Sequence, residues 1–191
     1  MTAAIGHQEP IILTTPRLRL RPWRPEDLPH FAALNADPRV MEHFPRVLTP
    51  EESNRQAVTI VEYVARHGFG FWAVEVTGVA DFVGFVGLST PTFEAHFTPC
   101  VEIGWRLAFE HWGRGYATVA ARAALDCGFQ RFGLEEIVAF TVAANWRSVR
   151  VMEQLGMTRS PAEDFDHPRL PPGHPLRRHI LYRVQRRPSE A

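Results

Sequence analysis

Cysteine is almost absent from this chain: Cys100 and Cys127 are the only two among 191 residues. Two thiols at that separation fit neither a zinc-ligand spacing nor a disulfide framework, and they suit a reducing compartment. Net charge is absent as well, with 21 basic residues against 21 acidic ones. That balance gives no electrostatic footprint for nucleic acid as an obligate partner. No apolar run reaches the length of a membrane span. The opening residues, MTAAIGHQEP, lack the basic start and apolar core of a signal peptide. There is no internal repeat and no linker-like stretch. What remains is the composition of a globular protein, long enough for one domain with a sizeable core. The expectation is a single cytoplasmic domain over residues 1–191, with residues 1–10 as a flexible N-terminus.

The most informative stretch runs from Val101 to Thr118, VEIGWRLAFEHWGRGYAT. It starts as a strand and ends in a glycine turn that opens into an alanine-rich helix. Gly113 and Gly115 allow a tight turn and let a ligand approach backbone N–H groups without side chains in the way. The first helical turn adds unpaired N–H donors and the positive end of the helix dipole, a combination suited to phosphate. An ordinary strand–loop–helix connection is the plain alternative. A P-loop requires a Lys after its last glycine, and none follows here. A dinucleotide fold requires its first glycine at the strand end, whereas five residues separate Leu107 from Gly113, and Thr118 holds the third glycine position.

Around this stretch the chain reads as alternating elements. Leu18 and Leu20 alternate with Arg17, Arg19 and Arg21 between Ile11 and Trp23, the pattern of a half-exposed strand. Pro25-Glu26-Asp27 starts a helix, Asp37-Pro38 starts a second short one ending near Phe44, and Thr49-Pro50-Glu51-Glu52 forms a capping box for a longer helix. FGFWAVEV and DFVGFVGLST read as a hairpin, with Gly84 and Gly87 marking a bulge or close packing. The central strand, Cys100 to Leu107, precedes a helix from about Tyr116 to Phe132. Strand Glu136 to Val142 is apolar on both faces. A helix from Asn145 to Gly156, a Pro- and His-rich loop and a strand from His179 to Val184 complete the chain.

The glycine stretch resembles the coenzyme signature of the GNAT superfamily of acetyl-CoA-dependent N-acetyltransferases, Gln/Arg-x-x-Gly-x-Gly/Ala. Gly115 and Ala117 fill the last two named positions, and Trp112 stands where Gln or Arg is usual. The wording EHWGRGYAT is similar to the RimJ/RimL-type branch. About thirty residues on, NWRSVRVMEQLGM resembles the family's next motif, an Asn that opens a helix closing on Gly. The resemblance covers roughly the C-terminal half. It implies an α/β fold with one mixed sheet of about six or seven strands, flanked by helices and splayed at its middle strands to hold acetyl-CoA. It also implies direct acetyl transfer to a primary amine, either a protein N-terminus or a small molecule, with no metal, by a monomer or homodimer.

By that resemblance the backbone of Trp105, Arg106 and Leu107 would pair with pantetheine. The segment Trp112, Gly113, Arg114, Gly115, Tyr116, Ala117 and Thr118 would hold the pyrophosphate, with Asn145 and Ser148 lining the coenzyme site. Glu102, the carboxylate on the central strand, is the candidate general base; an ion pair with Arg106 or Arg17 is its structural alternative. The position that carries a proton-donating Tyr in many relatives is Met152, which leaves Ser148 as the candidate acid, or else as a first-turn helix residue. Met41, His43 and Phe44 are candidates for the acceptor pocket, or for the core. Glu94, His96 and Asp164 lie in loops expected to face the acceptor. His167, His174 and His179 lack the spacing of a strong metal site. A non-catalytic acyl-CoA sensor, or the same fold using another acyl-CoA, remains open, and no motif names the acceptor.

Overall fold

The computed structural model describes residues 10–187. Residues 1–9, nearly all of the expected flexible N-terminus, lie outside that range. The elements are, in order, β1 (Leu13–Thr14), β2 (Leu18–Arg21), α1 (Asp27–Ala36), α2 (Pro50–His67), β3 (Phe71–Val76), β4 (Ala80–Ser89), β5 (Glu102–Leu107), α3 (Tyr116–Arg131), β6 (Glu136–Val142), α4 (Trp146–Gln154), β7 (Thr158–Arg159), β8 (Phe165–Asp166) and β9 (Arg178–Gln185). They form one sheet in the order β1-β2-β3-β4-β5-β6-β9-β7, with β8 beside β9. Only β5 and β6 run parallel; every other pair is antiparallel. This is the mixed sheet flanked by helices that was expected, with two-residue strands added at its margins.

Each face of the sheet buries its own cluster. On one face, Leu18, Leu20, Val74, Val86, Ile103 and Leu107 pack against Ala120, Ala121 and Ala124 of α3 and Met152 of α4. The small alanine side chains let α3 lie close to the strands. On the other face, Ala73, Phe82 and Phe85 meet Phe31 and Leu34 of α1 and Ala57 and Ile60 of α2. The α2 start carries the full capping box, with Thr49 Oγ1 accepting from Glu52 N–H and the Glu52 carboxylate accepting from Thr49 N–H. Backbones approach closely at Gly87, where an added Cβ would come within 2.0 Å of the Gly70 carbonyl oxygen.

Two expectations from local pattern are corrected. Residues 38–44 turn without forming a helix. Val40 and Met41 N–H both donate to the Asp37 carbonyl, and the chain then crosses toward α2. The single strand expected from Ile11 to Trp23 is a tight pair, β1 and β2, folded back at Thr15–Arg17 around Pro16. Arg21, expected on the wet face, is 1 % exposed. It is satisfied there by a bidentate pair with Asp27, at 2.8 Å for both bonds, by Glu75 at 3.1 Å and by the Asp81 carbonyl at 2.6 Å.

Candidate active site

The sheet opens where β5 leaves β6. On its other edge β5 is paired with β4 along its whole length, from Ser89↔Glu102 to Gly84↔Leu107. Its ladder with β6 has the single register pair Glu102↔Val138, with Val138 N–H donating to the Val101 carbonyl at 2.9 Å. Backbone groups along a strand point alternately to its two neighbours. The Ala108 N–H bond to the Val83 carbonyl, 2.9 Å, turns the even-numbered residues toward β4. The N–H and C=O of Trp105 therefore face the open side. Those of Arg106 belong to the β4 ladder, a correction to its expected backbone role. The Leu107 carbonyl is taken by the Trp112 indole N–H at 2.8 Å. In this chain the Trp at the usual Gln/Arg position thus closes the turn after β5.

The glycine turn leads out of this opening. Gly113 and Gly115 have φ of 74° and 76°, left-handed values that favour glycine. A Cβ built on Gly113 meets nothing within 4 Å, so the turn is open to an approaching group. Gly115 is the N-cap of α3 and no side chain caps the helix, which leaves its first N–H donors for a ligand. Gly113, Gly115, Ala117 and Thr118 line the cleft, whereas Arg114 is exposed and does not. Tyr116 also lines it, but its ring is mostly core, with Arg17 stacked over it at 5.3 Å. Thr118 Oγ1 bonds Gln154 at 2.8 Å and ties α3 to α4. An uncapped helix start, exposed glycines and an unpaired strand edge fit a pyrophosphate followed by an extended amide-bearing arm.

Helix α4 faces the opening from the β6 side. Asn145 caps it, its Oδ1 accepting from Ser148 N–H at 3.3 Å, while its Nδ2 donates to Thr141 Oγ1 at 3.0 Å. The Ser148 hydroxyl accepts the Trp105 indole N–H at 3.3 Å across the gap. Ser148 therefore points into the cleft with its own proton free to donate. Met152 is 1 % exposed and packed into the core, so nothing at that position can supply a proton.

Glu102 stands at the point where the strands part. Ser89 Oγ donates to its Oε1 at 2.8 Å, and neither Arg106 nor Arg17 pairs with it. Burial raises its pKa from 4.5 to about 7, against smaller lowering effects from the Ser89 hydrogen bond and the charge of Arg169. The ion-pair alternative is therefore absent, and the carboxyl is poised to exchange a proton near neutrality.

The cleft has a volume of 860 Å³ and reaches the α1–α2 side of the sheet through Phe44, Gln56, Ile60, Phe71 and Phe85. Of the expected acceptor residues, Phe44 and His43 line it. Met41 is buried, 5 % exposed, and does not. Glu94 borders a separate 490 Å³ cavity with Phe93 and Pro99. His96 is exposed beside Phe97, outside the cleft. Asp164 is engaged by Arg159, which holds its carboxyl below the usual range. These three loop residues lie outside the cleft because their loops pack, through Phe93, Phe97 and Phe165, against Val138 and Phe140 of β6 and Leu181 of β9. In their place the loop before β9 brings Arg169 to the cleft, hydrogen-bonded to Thr92, and β5 brings the Arg106 side chain. A lone Arg in a proline-rich loop carries no sequence signal that separates it from a solvated one. The His167 and His179 rings lie 5.0 Å apart, tilted to one another, among Phe93, Phe140 and Phe165, and burial lowers His167 to about 4. Among the described residues no group of three or more His, Cys, Asp or Glu could hold a metal, and no helix is long and apolar enough to cross a membrane.

Comparison with known proteins agrees with this geometry. Residues 17–158 match the family described as acetyltransferase (GNAT) domain. An uncharacterised Bacillus subtilis protein, YkkB, is 33 % identical over 150 residues, 76 % of this chain and 84 % of that one. The FsC-acetyl coenzyme A-N(2)-transacetylase of Aspergillus fumigatus is 32 % identical over 170 residues, 84 % of this chain and 71 % of that one. A GNAT-family acetyltransferase from Bacillus anthracis superposes with a TM-score of 0.76 at 26 % identity, covering 92 % of this chain and 98 % of the other. The match spans β2 to the start of β7 and takes in the parted strands, the glycine turn and α4 alike: the chain belongs to the GNAT family of acetyltransferases.

Proposed function

We propose that this acetyltransferase moves the acetyl group of acetyl-CoA directly to a primary amine, with Glu102 as general base and Ser148 as general acid. Acetyl-CoA supplies the activated acyl group. The first-turn amides of α3 and the glycine turn bind its pyrophosphate, and the open edge at Trp105 orients its arm. The Trp105 N–H polarises the thioester carbonyl, the electrostatic part of the work. An ammonium cannot attack, so Glu102 takes one proton from the incoming amine. After attack Ser148 Oγ–H gives a proton to the departing thiolate and is restored by the second proton that the nitrogen loses as the amide forms, so that one proton is released overall. The observation that carries this reading is the parting of β5 from β6 at Glu102, a carboxyl largely withdrawn from water and without a salt bridge. The wording of the glycine turn supports the RimJ/RimL-type branch, and the two free cysteines suit a cytoplasmic setting.

The test is calorimetric titration with acetyl-CoA, followed by free-CoA release with peptides, polyamines, amino acids and aminoglycosides. Binding with acceptor-dependent release supports transfer. A well-folded protein that does not bind acetyl-CoA overturns it. Buried Met152 at the usual Tyr position favours a second reading, an acyl-CoA sensor, which binds acetyl-CoA and releases no CoA with any acceptor.

A further inference from the structure

Arg106 is a half-buried cation without a counter-ion among the described residues. Its side chain leaves β5 on the α1–α2 face, the same face as Glu102, with Gly104 between them. One guanidinium nitrogen, Nη1, donates to Asn35 Oδ1 at 2.5 Å. Among the described residues the Nε proton has no acceptor although it is buried, and Nη2 makes no hydrogen bond. The guanidinium carbon lies 4.1 Å from the Phe44 ring centre and 5.4 Å from that of Phe85. No carboxylate acts on the group, and burial alone lowers its pKa from 12.5 to about 10.

Arg21, which is 1 % exposed, marks the contrast. Arg21 gathers Asp27, Glu75 and a backbone carbonyl, the satisfaction that a structural arginine needs. Arg106 receives one neutral acceptor, and that acceptor is itself held in place. Asn35 is 0 % exposed and donates through Nδ2 to the equally buried Ser53 Oγ at 2.7 Å. A polar relay, Ser53–Asn35–Arg106, thus runs from α2 through α1 to the cleft, through an otherwise apolar cluster. It fixes the guanidinium without neutralising it. Gln56 Oε1, also on the cleft and buried without a partner, is an acceptor and would be met by a donor on the ligand rather than by its carboxylate. Buried polar groups without partners are costly, and a bound ligand that completes them recovers that cost.

We propose that Arg106 is the seat for a carboxylate on the amine acceptor, so that the acceptor is an amino acid in the broad chemical sense and is chosen by its negative charge. The planar fork of a guanidinium matches a carboxylate, and desolvation by Phe44 and Phe85 strengthens that pairing. Four residues at about 3.3 Å each place Glu102 and Arg106 roughly 13 Å apart along the strand. The amine at Glu102 and the carboxylate at Arg106 are therefore several atoms apart. The inference rests on the transfer reading for the amine end; the carboxylate end stands on the Arg106 geometry.

The experiment compares 6-aminohexanoate with 6-aminohexanamide, which differ in charge but hardly in size. With acetyl-CoA, wild type should favour the acid at least tenfold in kcat/KM, chiefly through KM. Arg106→Gln should bring that ratio near one. If Arg106→Gln fails to fold, Asn35→Asp supplies the guanidinium with its own counter-ion, keeps a partner for Ser53, and should weaken the preference in the same way. Calorimetry of the two compounds with CoA-saturated protein reads the seat without turnover. Tight binding of the acid with no acetyl transfer sinks the transfer reading and keeps the seat. Transfer with equal rates on acid and amide does the reverse. A further arm replaces acetyl-CoA by succinyl-CoA with the neutral amide as acceptor. A preference for succinyl-CoA that Arg106→Gln removes assigns the carboxylate to the donor and overturns the acceptor proposal. Equal binding of acid and amide by wild type overturns it too.

Discussion

Replacing Glu102 by Gln separates a catalytic base from a carboxyl that is merely buried, in one variant. The change keeps an acceptor for the Ser89 hydroxyl, so the 2.8 Å hydrogen bond can persist. Burial holds the Glu102 pKa near 7, against an ordinary 4.5. A native carboxyl with a raised pKa keeps its proton longer than the unfolded chain does, so stability falls as pH rises from 4.5 through 7. The shift is about 2.5 units, and at 1.36 kcal/mol per unit the ionised form costs about 3 kcal/mol above that window. Glu102→Gln removes this cost. Its melting temperature should match wild type near pH 4.5 and exceed it at pH 8, by up to roughly 6–12 °C for a domain of this size. Its acetylation rate should fall roughly a hundredfold near neutrality. The acid limb in kcat/KM expected of wild type below about pH 7 should vanish, and the deficit should narrow at high pH, where more of the amine is already neutral. Paired melting curves and rate–pH profiles decide the matter. A variant less stable than wild type at pH 8, or one with wild-type rates at every pH, refutes the reasoning.

Three other perturbations follow from the same geometry. Gly115→Val puts a branched side chain at a φ of 76° beside the coenzyme turn. It should abolish the acetyl-CoA-induced thermal shift, which in wild type corresponds to about 2.7 kcal/mol at a hundredfold excess over Kd; a retained shift would remove the turn from coenzyme binding. Ser148→Ala should lower kcat by more than it weakens acetyl-CoA binding, the sign of an interaction made in the transition state; full turnover would make Ser148 a helix residue only. Arg21→Met strands the buried Asp27 carboxylate and should cost about 3–5 kcal/mol in urea unfolding, with little effect on acetyl-CoA affinity; a loss below 1 kcal/mol would contradict the reading of that network.

The sequence made local chemistry visible and hid the tertiary choices. The Thr49 capping box, the glycine turn at Gly113 and Gly115, and the alternation of Leu18 and Leu20 are short-range patterns, and each corresponds to an element in the structure. Arg21 and Arg106 occupy alternate strand positions that look the same as solvated ones. Their burial depends on which carboxylate or amide arrives from another element: Asp27 and Glu75 for one, Asn35 for the other. Trp105 and Arg106 were indistinguishable as candidate partners for an extended arm until the β4 ladder fixed which backbone turned outward. Loop position alone makes Met41, Glu94, His96 and Asp164 acceptor candidates, and loop paths across a sheet are set by packing that composition does not record. The segment after Asp37 has helix-start chemistry, yet only six residues separate Pro38 from Pro45, and the Val40, Met41 and Phe44 N–H groups are satisfied by turns.

The central claim is that this fold transfers an acyl group rather than merely holding it. The direct measurement is mass spectrometry of an amine acceptor panel after incubation with acetyl-CoA and wild-type protein, with free CoA followed in the same vessels. The account predicts at least one acceptor gaining a single acetyl group on nitrogen, one CoA released per acetyl group transferred, and a strong loss of both with Glu102→Gln. Tight acetyl-CoA binding with no acetylated amine and no CoA release, across peptides, polyamines and amino acids alike, would contradict it.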